Sequence, residues 1–314
     1  MTKSFRIVFM GTPEFAVPAL EALHDSRHRV LQVVTRPDRP RGRGRKLQPP
    51  AIKTLATALG YDVFQPPMIK NPDVIAQFAR LRPDFFVVVA FGQLLNRRLL
   101  DIPENGTLNL HPSLLPKYRG PAPIQWAIIR GETETGVTTM LMAEEMDAGD
   151  ILLQEKEPIR PEDTAADVHD RLAHRGGDLL VDTLDALADE TLQPTAQDHS
   201  RATFAPMLKK EDGRIPWQKS AREIVDLIRG VCPWPGAFCY FENKRLKVFR
   251  AETIEERTSA APGTVVPGFA DSLHVAAGSG VVGILEIQGE SGKRMKIKDF
   301  LRGKPIPVGS ILDS

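Results

Sequence analysis

Phe85-Phe86-Val87-Val88-Val89, set between Asp84 and Ala90 and closed by Gly92, is a short apolar run with no polar interruption. Such a run predicts a strand buried on both faces, which is how parallel strands covered by helices read. The chain on either side agrees. Arg6-Ile7-Val8-Phe9-Met10 reads as a first strand. Gly11 then makes a turn, Thr12 can cap, and Pro13 suits the first helical position before apolar spacing over 15–23. Val30 to Val34 and Val63-Phe64 read as strands, and 51–59 and 74–81 as helices. Strands alternating with helices predict an α/β domain with a doubly wound, mostly parallel, Rossmann-like sheet. The glycine turn is not a dinucleotide site: Gly11-Thr12-Pro13-Glu14-Phe15-Ala16 has one glycine where the fingerprint needs three, and Glu14 would repel a pyrophosphate.

Downstream, Thr107 to His111 alternates, with Leu108 and Leu110 on one face and Thr107, Asn109 and His111 on the other. Residues two apart on a strand lie about 7 Å from each other on one face, so Asn109 and His111 can address a common ligand atom. Pro112 holds His111 extended and ends the strand, and the carboxyl end of a strand is where α/β sheets place ligands. A hairpin follows, 137–142 and 151–154, whose connection Met146-Asp147-Ala148-Gly149-Asp150 carries a carboxylate. An amide, an imidazole and a carboxylate are about what acyl transfer without a covalent intermediate requires: an oxyanion donor, a proton carrier and a group that orients it. Ser113 lacks a nucleophile-elbow glycine context and is not read as a nucleophile.

Asn109-x-His111, Ser113-Leu114-Leu115-Pro116, Tyr118-Arg119-Gly120 and the Asp147-Ala148-Gly149-Asp150 turn together resemble the folate-dependent formyltransferases. Met10-Gly11-Thr12-Pro13-Glu14-Phe15, Thr35-Arg36-Pro37-Asp38-Arg39-Pro40 and Pro233-Trp234-Pro235-Gly236 extend the resemblance over essentially the whole chain. It implies Asn109, His111 and Asp147 as catalytic residues, and Ser113, Leu114, Leu115 and Pro116 as lining the site of the formyl donor, 10-formyltetrahydrofolate. The acceptor it implies is the amino group of methionine on initiator tRNA; the alternative is an amino sugar nucleotide. A catalytically silent RNA-binding protein would have no need of Asn109, His111 and Asp147 together.

The 314 residues leave room for two cores. Hydrophobic content of 42% and charged content of 26% are ordinary for a globular protein, and no stretch approaches the roughly 18 apolar residues of a membrane span. Cys232 and Cys239 suit neither a disulfide framework nor a structural zinc site, which predicts a reduced cytoplasmic setting and no metal. The remaining histidines, His24, His28, His169, His174, His199 and His274, lack metal-ligand spacing and are read as surface or packing residues. Net charge is only +1, but its distribution is uneven. From Arg36 to Lys46 only Asp38 opposes the basic residues, and the Pro and Gly content predicts a flexible basic loop. Arg41, Arg43, Arg45 and Lys46 are the candidates for tRNA phosphate contact. A second basic region, Lys244 to Lys247 and Lys293 to Lys298, alternates with apolar residues as on half-buried strands.

Pro121-Ala122-Pro123 opens a helix through Gln125, Trp126 and Ile129, and 165–187 is helical with an interruption at Gly176-Gly177. A polar, weakly periodic stretch follows. The organisation predicted is a catalytic domain over 1–189, a linker over 190–206 and a small domain over 207–314. The last contains a helix at 221–230 and about five short strands, 238–241, 246–249, 263–266, 273–276 and 283–287, which fit a small barrel. The resemblance implies that it is OB-like and binds tRNA; a monomer is expected.

Overall fold

The computed structural model describes residues 3–41, 46–255, 258–269 and 271–314. It divides into two compact units. Unit 1 comprises Met1–Gly120, Glu134–Pro158 and His169–Ala205, and unit 2 comprises Pro121–Thr133, Ile159–Val168 and Pro206–Ser314.

Unit 1 is built on a seven-stranded sheet. Its strands are β1 (Arg6–Gly11), β2 (Arg29–Val34), β5 (Val63–Phe64), β6 (Phe85–Val89), β7 (Thr107–His111), β8 (Glu134–Leu141) and β9 (Ile151–Pro158), in the order β5-β2-β1-β6-β7-β8-β9. The first five are parallel, and β8 and β9 run antiparallel. All five residues of β6 are buried, as its unbroken apolar run predicts. Phe86 and Val88 join Val8, Met10, Val34, Phe78 and Leu99 in one core cluster. Helices α1 (Val17–Asp25), α2 (Ala51–Ala58), α3 (Pro72–Leu81) and the short α4 (Arg97–Leu100) lie between strands. Local chemistry sets their starts: in α3, Asn71 accepts from the Asp73 N–H at 2.9 Å and Pro72 occupies the first position, where its missing N–H costs nothing.

Three segments differ from expectation. Gly176-Gly177 does not interrupt its helix; α6 runs unbroken over Ala165–Ala188. Here glycine serves close approach. A Cβ on Gly176 would stand 2.6 Å from Leu110 Cδ2, and one on Gly177 would stand 2.9 Å from the Pro18 carbonyl oxygen on α1. Alanine is the better helix former by about 1 kcal/mol, yet the clash is with backbone. Gly177→Ala is therefore expected to destabilise by about 1–3 kcal/mol, read as a lower urea midpoint at unchanged slope; a raised midpoint would show that the helix–helix contact is not tight.

The basic stretch expected to be an irregular loop forms a small antiparallel ribbon of β3 (Arg39–Arg41) and β4 (Lys46–Gln48), with Arg39 opposite Gln48 and Arg41 opposite Lys46. A two-stranded ribbon is all edge, so Pro40 can face outward without breaking a ladder. The polar segment expected to be a linker is tied to unit 1. Thr195 and Ile151 exchange backbone hydrogen bonds at 2.8 Å, Arg119 N–H donates to Thr203 O at 2.8 Å, and Ala205 N–H donates to Arg119 O at 2.7 Å. Its weak periodicity reflects pairing of an extended chain with the start of β9 and the loop at Arg119 rather than packing on a regular face.

In unit 2, α7 (Ala221–Gly230) begins with a reciprocal cap between Ser220 and Glu223. It packs on α5 (Pro123–Ile129), where Gly230 allows the approach: a Cβ there would sit 2.6 Å from Ile129 Cγ1. That packing, and the Arg229 guanidinium donating to Asp163 O at 2.8 Å and Arg160 O at 3.2 Å, explains why residues 121–133 and 159–168 group with unit 2 although they precede it in sequence. The antiparallel sheet, a half-barrel, is ordered β10 (Ala237–Phe241), β11 (Lys244–Ile254), β13 (Val281–Gln288), β12 (Leu273–Ala276), with β14 (Met295–Lys296) beside β13. Trp217, Ile224, Ile228, Leu246, Val275 and Ile284 are among its core residues. Two expected strands are reduced. Residues 263–266 contribute only the single bridges Thr264–Ile311 and Val265–Val275, and the Lys293–Lys298 run yields two strand residues before α8 (Ile297–Gly303).

Candidate active site

The site is assembled at the carboxyl end of β7. Parallel pairing sets Asn109 opposite Val88 of β6, and antiparallel pairing sets it opposite Met140 of β8, with His111 opposite Thr138. Both polar side chains are therefore carried on a central strand, and they are 9% and 5% exposed. Among the described residues no protein group is hydrogen-bonded to the Asn109 side-chain amide. The amide lies on the same face of β7 as His111, so it is suited to meet the same ligand oxygen.

His111 is oriented from two sides. Nε2 lies 3.0 Å from the Tyr118 carbonyl oxygen; a carbonyl only accepts, so Nε2 carries a proton. Nδ1 lies 3.7 Å from Asp147 Oδ2, near enough for charge attraction and too long for a direct hydrogen bond. That spacing leaves the Nδ1 edge open to a ligand. Asp147 lies on the β8–β9 connection in a left-handed conformation, φ 52°. Its Oδ2 accepts from the Gly120 N–H at 2.7 Å. Gly149 is required here because a Cβ would stand 1.8 Å from Leu141 O.

The Ser113 to Pro116 segment passes beside the site and is firmly held. Ser113 Oγ donates to Lys117 O at 2.7 Å, the Thr138 hydroxyl donates to Ser113 O at 2.6 Å, and Gln154 Nε2 donates to Leu115 O at 2.9 Å. Leu115 is buried, and Leu114 packs where Gly136 leaves room; a Cβ there would be 2.5 Å from Leu114 Cδ2. The Ser113 hydroxyl is thus committed to the loop itself. Of the four basic candidates, Arg41 and Lys46 are opposite each other in the β3–β4 ribbon and Lys46 is exposed, while Arg43 and Arg45 lie outside the described residues.

Several site residues were not anticipated. Tyr118 orients His111 through its main chain. Arg119, 2% exposed, donates from Nη2 to Gln197 Oε1 at 2.7 Å and lies 3.1 Å from His199 Nδ1. Gln197 in turn donates to Asp147 O and Gly149 O. Tyr118-Arg119-Gly120 carries part of the resemblance, but the roles of Arg119 and Gln197 arise from contacts 48 to 80 positions away in sequence, which nothing local marks. His28 is a packing residue, as expected: it accepts from Phe5 N–H at 3.1 Å, and burial pushes its pKa down.

The Formyl transferase family model matches residues 5–184, and the Formyl transferase, C-terminal domain model matches residues 207–305. The chain belongs to the formyl transferase family. Within it, the chain is 49% identical over 308 residues to the methionyl-tRNA formyltransferase of Pelotomaculum thermopropionicum, covering 98% of each chain. It is 47% identical to the methionyl-tRNA formyltransferase of Citrifermentans bemidjiense, covering 98% of this chain and 96% of that one. A solved structure of WlaRD, a sugar 3N-formyl transferase in the presence of dTDP and 5-N-formyl-THF, shares the fold with a TM-score of 0.66 at 18% identity, covering 93% of this chain and 100% of that one.

Proposed function

We propose that this chain transfers the formyl group of 10-formyltetrahydrofolate to the α-amino group of methionine on initiator methionyl-tRNA, the formylation that prepares this tRNA for translation initiation. The observation that carries the reading is the His111 Nδ1 edge beside the Asp147 carboxylate at the end of β7, with Asn109 two residues away on the same strand, in a chain nearly half identical over its length to methionyl-tRNA formyltransferases. In this reading the neutral amine attacks the formyl carbon, a new N–C bond forms and the bond from that carbon to folate N10 breaks. The proton lost by the amine ends on N10. Asn109 and protonated His111 donate to the formyl oxygen as negative charge develops there. Asp147 orients His111 and assists the proton transfer. The segment Ser113 to Pro116 lines the folate site through main-chain groups and Leu114, since the Ser113 hydroxyl is engaged within the loop.

The acceptor tRNA is held through phosphates, with Arg41, Arg43, Arg45 and Lys46 at its acceptor end and the basic residues of unit 2 elsewhere. Each cation that meets a phosphate releases counterions. Substituting these four residues with alanine is therefore expected to weaken tRNA binding and to flatten the plot of log affinity against log salt, by about one unit for each phosphate no longer neutralised. An unchanged slope would remove the ribbon from the tRNA interface. Both cysteines are free and buried, and among the described residues no helix is long and apolar enough to cross a membrane. We read the protein as a cytoplasmic monomer that needs no metal.

Single-turnover formylation with 10-formyltetrahydrofolate tests the assignment, using charged initiator methionyl-tRNA, charged elongator methionyl-tRNA and a 4-amino sugar nucleotide as acceptors. Rapid transfer to the initiator alone is expected. Transfer to the sugar alone would retain the catalytic residues and overturn the tRNA reading, and no transfer to any acceptor would overturn the enzymatic one.

A further inference from the structure

We propose that Gln197 is a positioning residue that fixes the Asp147 carboxylate against His111 by clamping the main chain of the Asp147–Gly149 turn; the inference rests on the catalytic reading of Asp147 above. An aspartate at φ 52° is held there only where its surroundings over-determine it. Gln197 supplies much of that constraint. Its Nε2 donates to Asp147 O at 2.8 Å and to Gly149 O at 2.7 Å, using both amide hydrogens on the two carbonyls that bracket Ala148. Its Oε1 accepts from Arg119 Nη2 at 2.7 Å and Nε at 3.2 Å. The orientation of the amide is unambiguous, because carbonyls only accept and a guanidinium only donates.

Arg119 completes the grip. It is buried, lies 3.6 Å from Glu145 Oε1 on the same turn, and is followed by Gly120, whose N–H holds Asp147 Oδ2. Asp147 is thus held at its carboxylate by 119–120 and at its carbonyl by Gln197, and the two anchors are bonded to each other. The clamp joins three connecting segments and, among the described residues, pairs with no strand of the sheet beyond the Thr195–Ile151 bridge. Its geometric consequence is the 3.7 Å separation of His111 Nδ1 from Asp147 Oδ2.

Three variants test this. Gln197→Leu removes all four hydrogen bonds. Gln197→Glu still accepts from Arg119 but cannot donate to the two carbonyls. Gln32→Leu serves as the control, because it deletes a buried amide bond to Asp62 (2.8 Å) away from the site. Turnover per folded molecule is expected to fall about 10- to 100-fold in both Gln197 variants, with KM for 10-formyltetrahydrofolate within about threefold of wild type. Amide exchange over 143–149 is expected to rise in both and to stay unchanged in Gln32→Leu. Wild-type turnover in Gln197→Glu would overturn the proposal. So would a loss matched by a smaller folded fraction, with loop exchange unchanged. If the unsubstituted protein formylates no acceptor, the functional reading fails, and the exchange of 143–149 still decides whether Gln197 holds the turn.

Discussion

Asp147→Asn is expected to lower turnover by about 10²–10⁴-fold, the range for residues that carry or govern proton transfer. The substitution is nearly isosteric. The side-chain oxygen that accepts from Gly120 N–H at 2.7 Å is retained, as are the main-chain bonds to Gln197. What disappears is the negative charge 3.7 Å from His111 Nδ1. Without it, positive charge that develops on the ring during proton transfer loses its neighbouring countercharge. Folate affinity should be little changed, so the loss should fall on kcat in steady-state assays. Wild-type kcat would remove Asp147 from the mechanism.

Asn109→Ala is expected to cost about 10²–10³-fold in kcat, the usual result of deleting one preorganised oxyanion donor, or about 3–4 kcal/mol of transition-state stabilisation. The donor is preorganised because Asn109 sits in register between Val88 and Met140 on strands that pair on both sides of β7. Stability should change little, as no protein hydrogen bond to the amide is removed among the described residues. The two substitutions act on the same oxygen through different donors, and their effects in the double variant are therefore expected to be less than additive. A full additive loss would place them in separate steps.

The legible parts of the fold are those in which side-chain pattern and backbone state share a period. The unbroken apolar run of β6, the alternation of β7 and the Asn71-Pro72 start of α3 each state their conformation locally, and the structure has them where expected. The parallel order of β1, β2, β5, β6 and β7 follows from their alternation with helices. Gly176-Gly177 was misleading because a glycine pair is locally a helix breaker, and only the Leu110 side chain and the Pro18 carbonyl lying against α6 make it a contact surface. The β3–β4 ribbon was hidden by Pro40, which disfavours strands in general but not a two-stranded edge.

From its residues alone, the sequence determined the α/β class, the central strand that carries Asn109 and His111, the candidate carboxylate on the β8–β9 connection and the family resemblance. These depend on neighbours a few positions apart. Only the tertiary structure decided how that carboxylate is held. Tyr118 and Gly120 hold His111 and Asp147 through a main-chain carbonyl and N–H, and the bonded side chains of Arg119 and Gln197 grip the main-chain carbonyls of the Asp147 turn; the main-chain half of each contact is a group every residue carries. No residue type announces such a partner; chain closure across dozens of positions brings it into place.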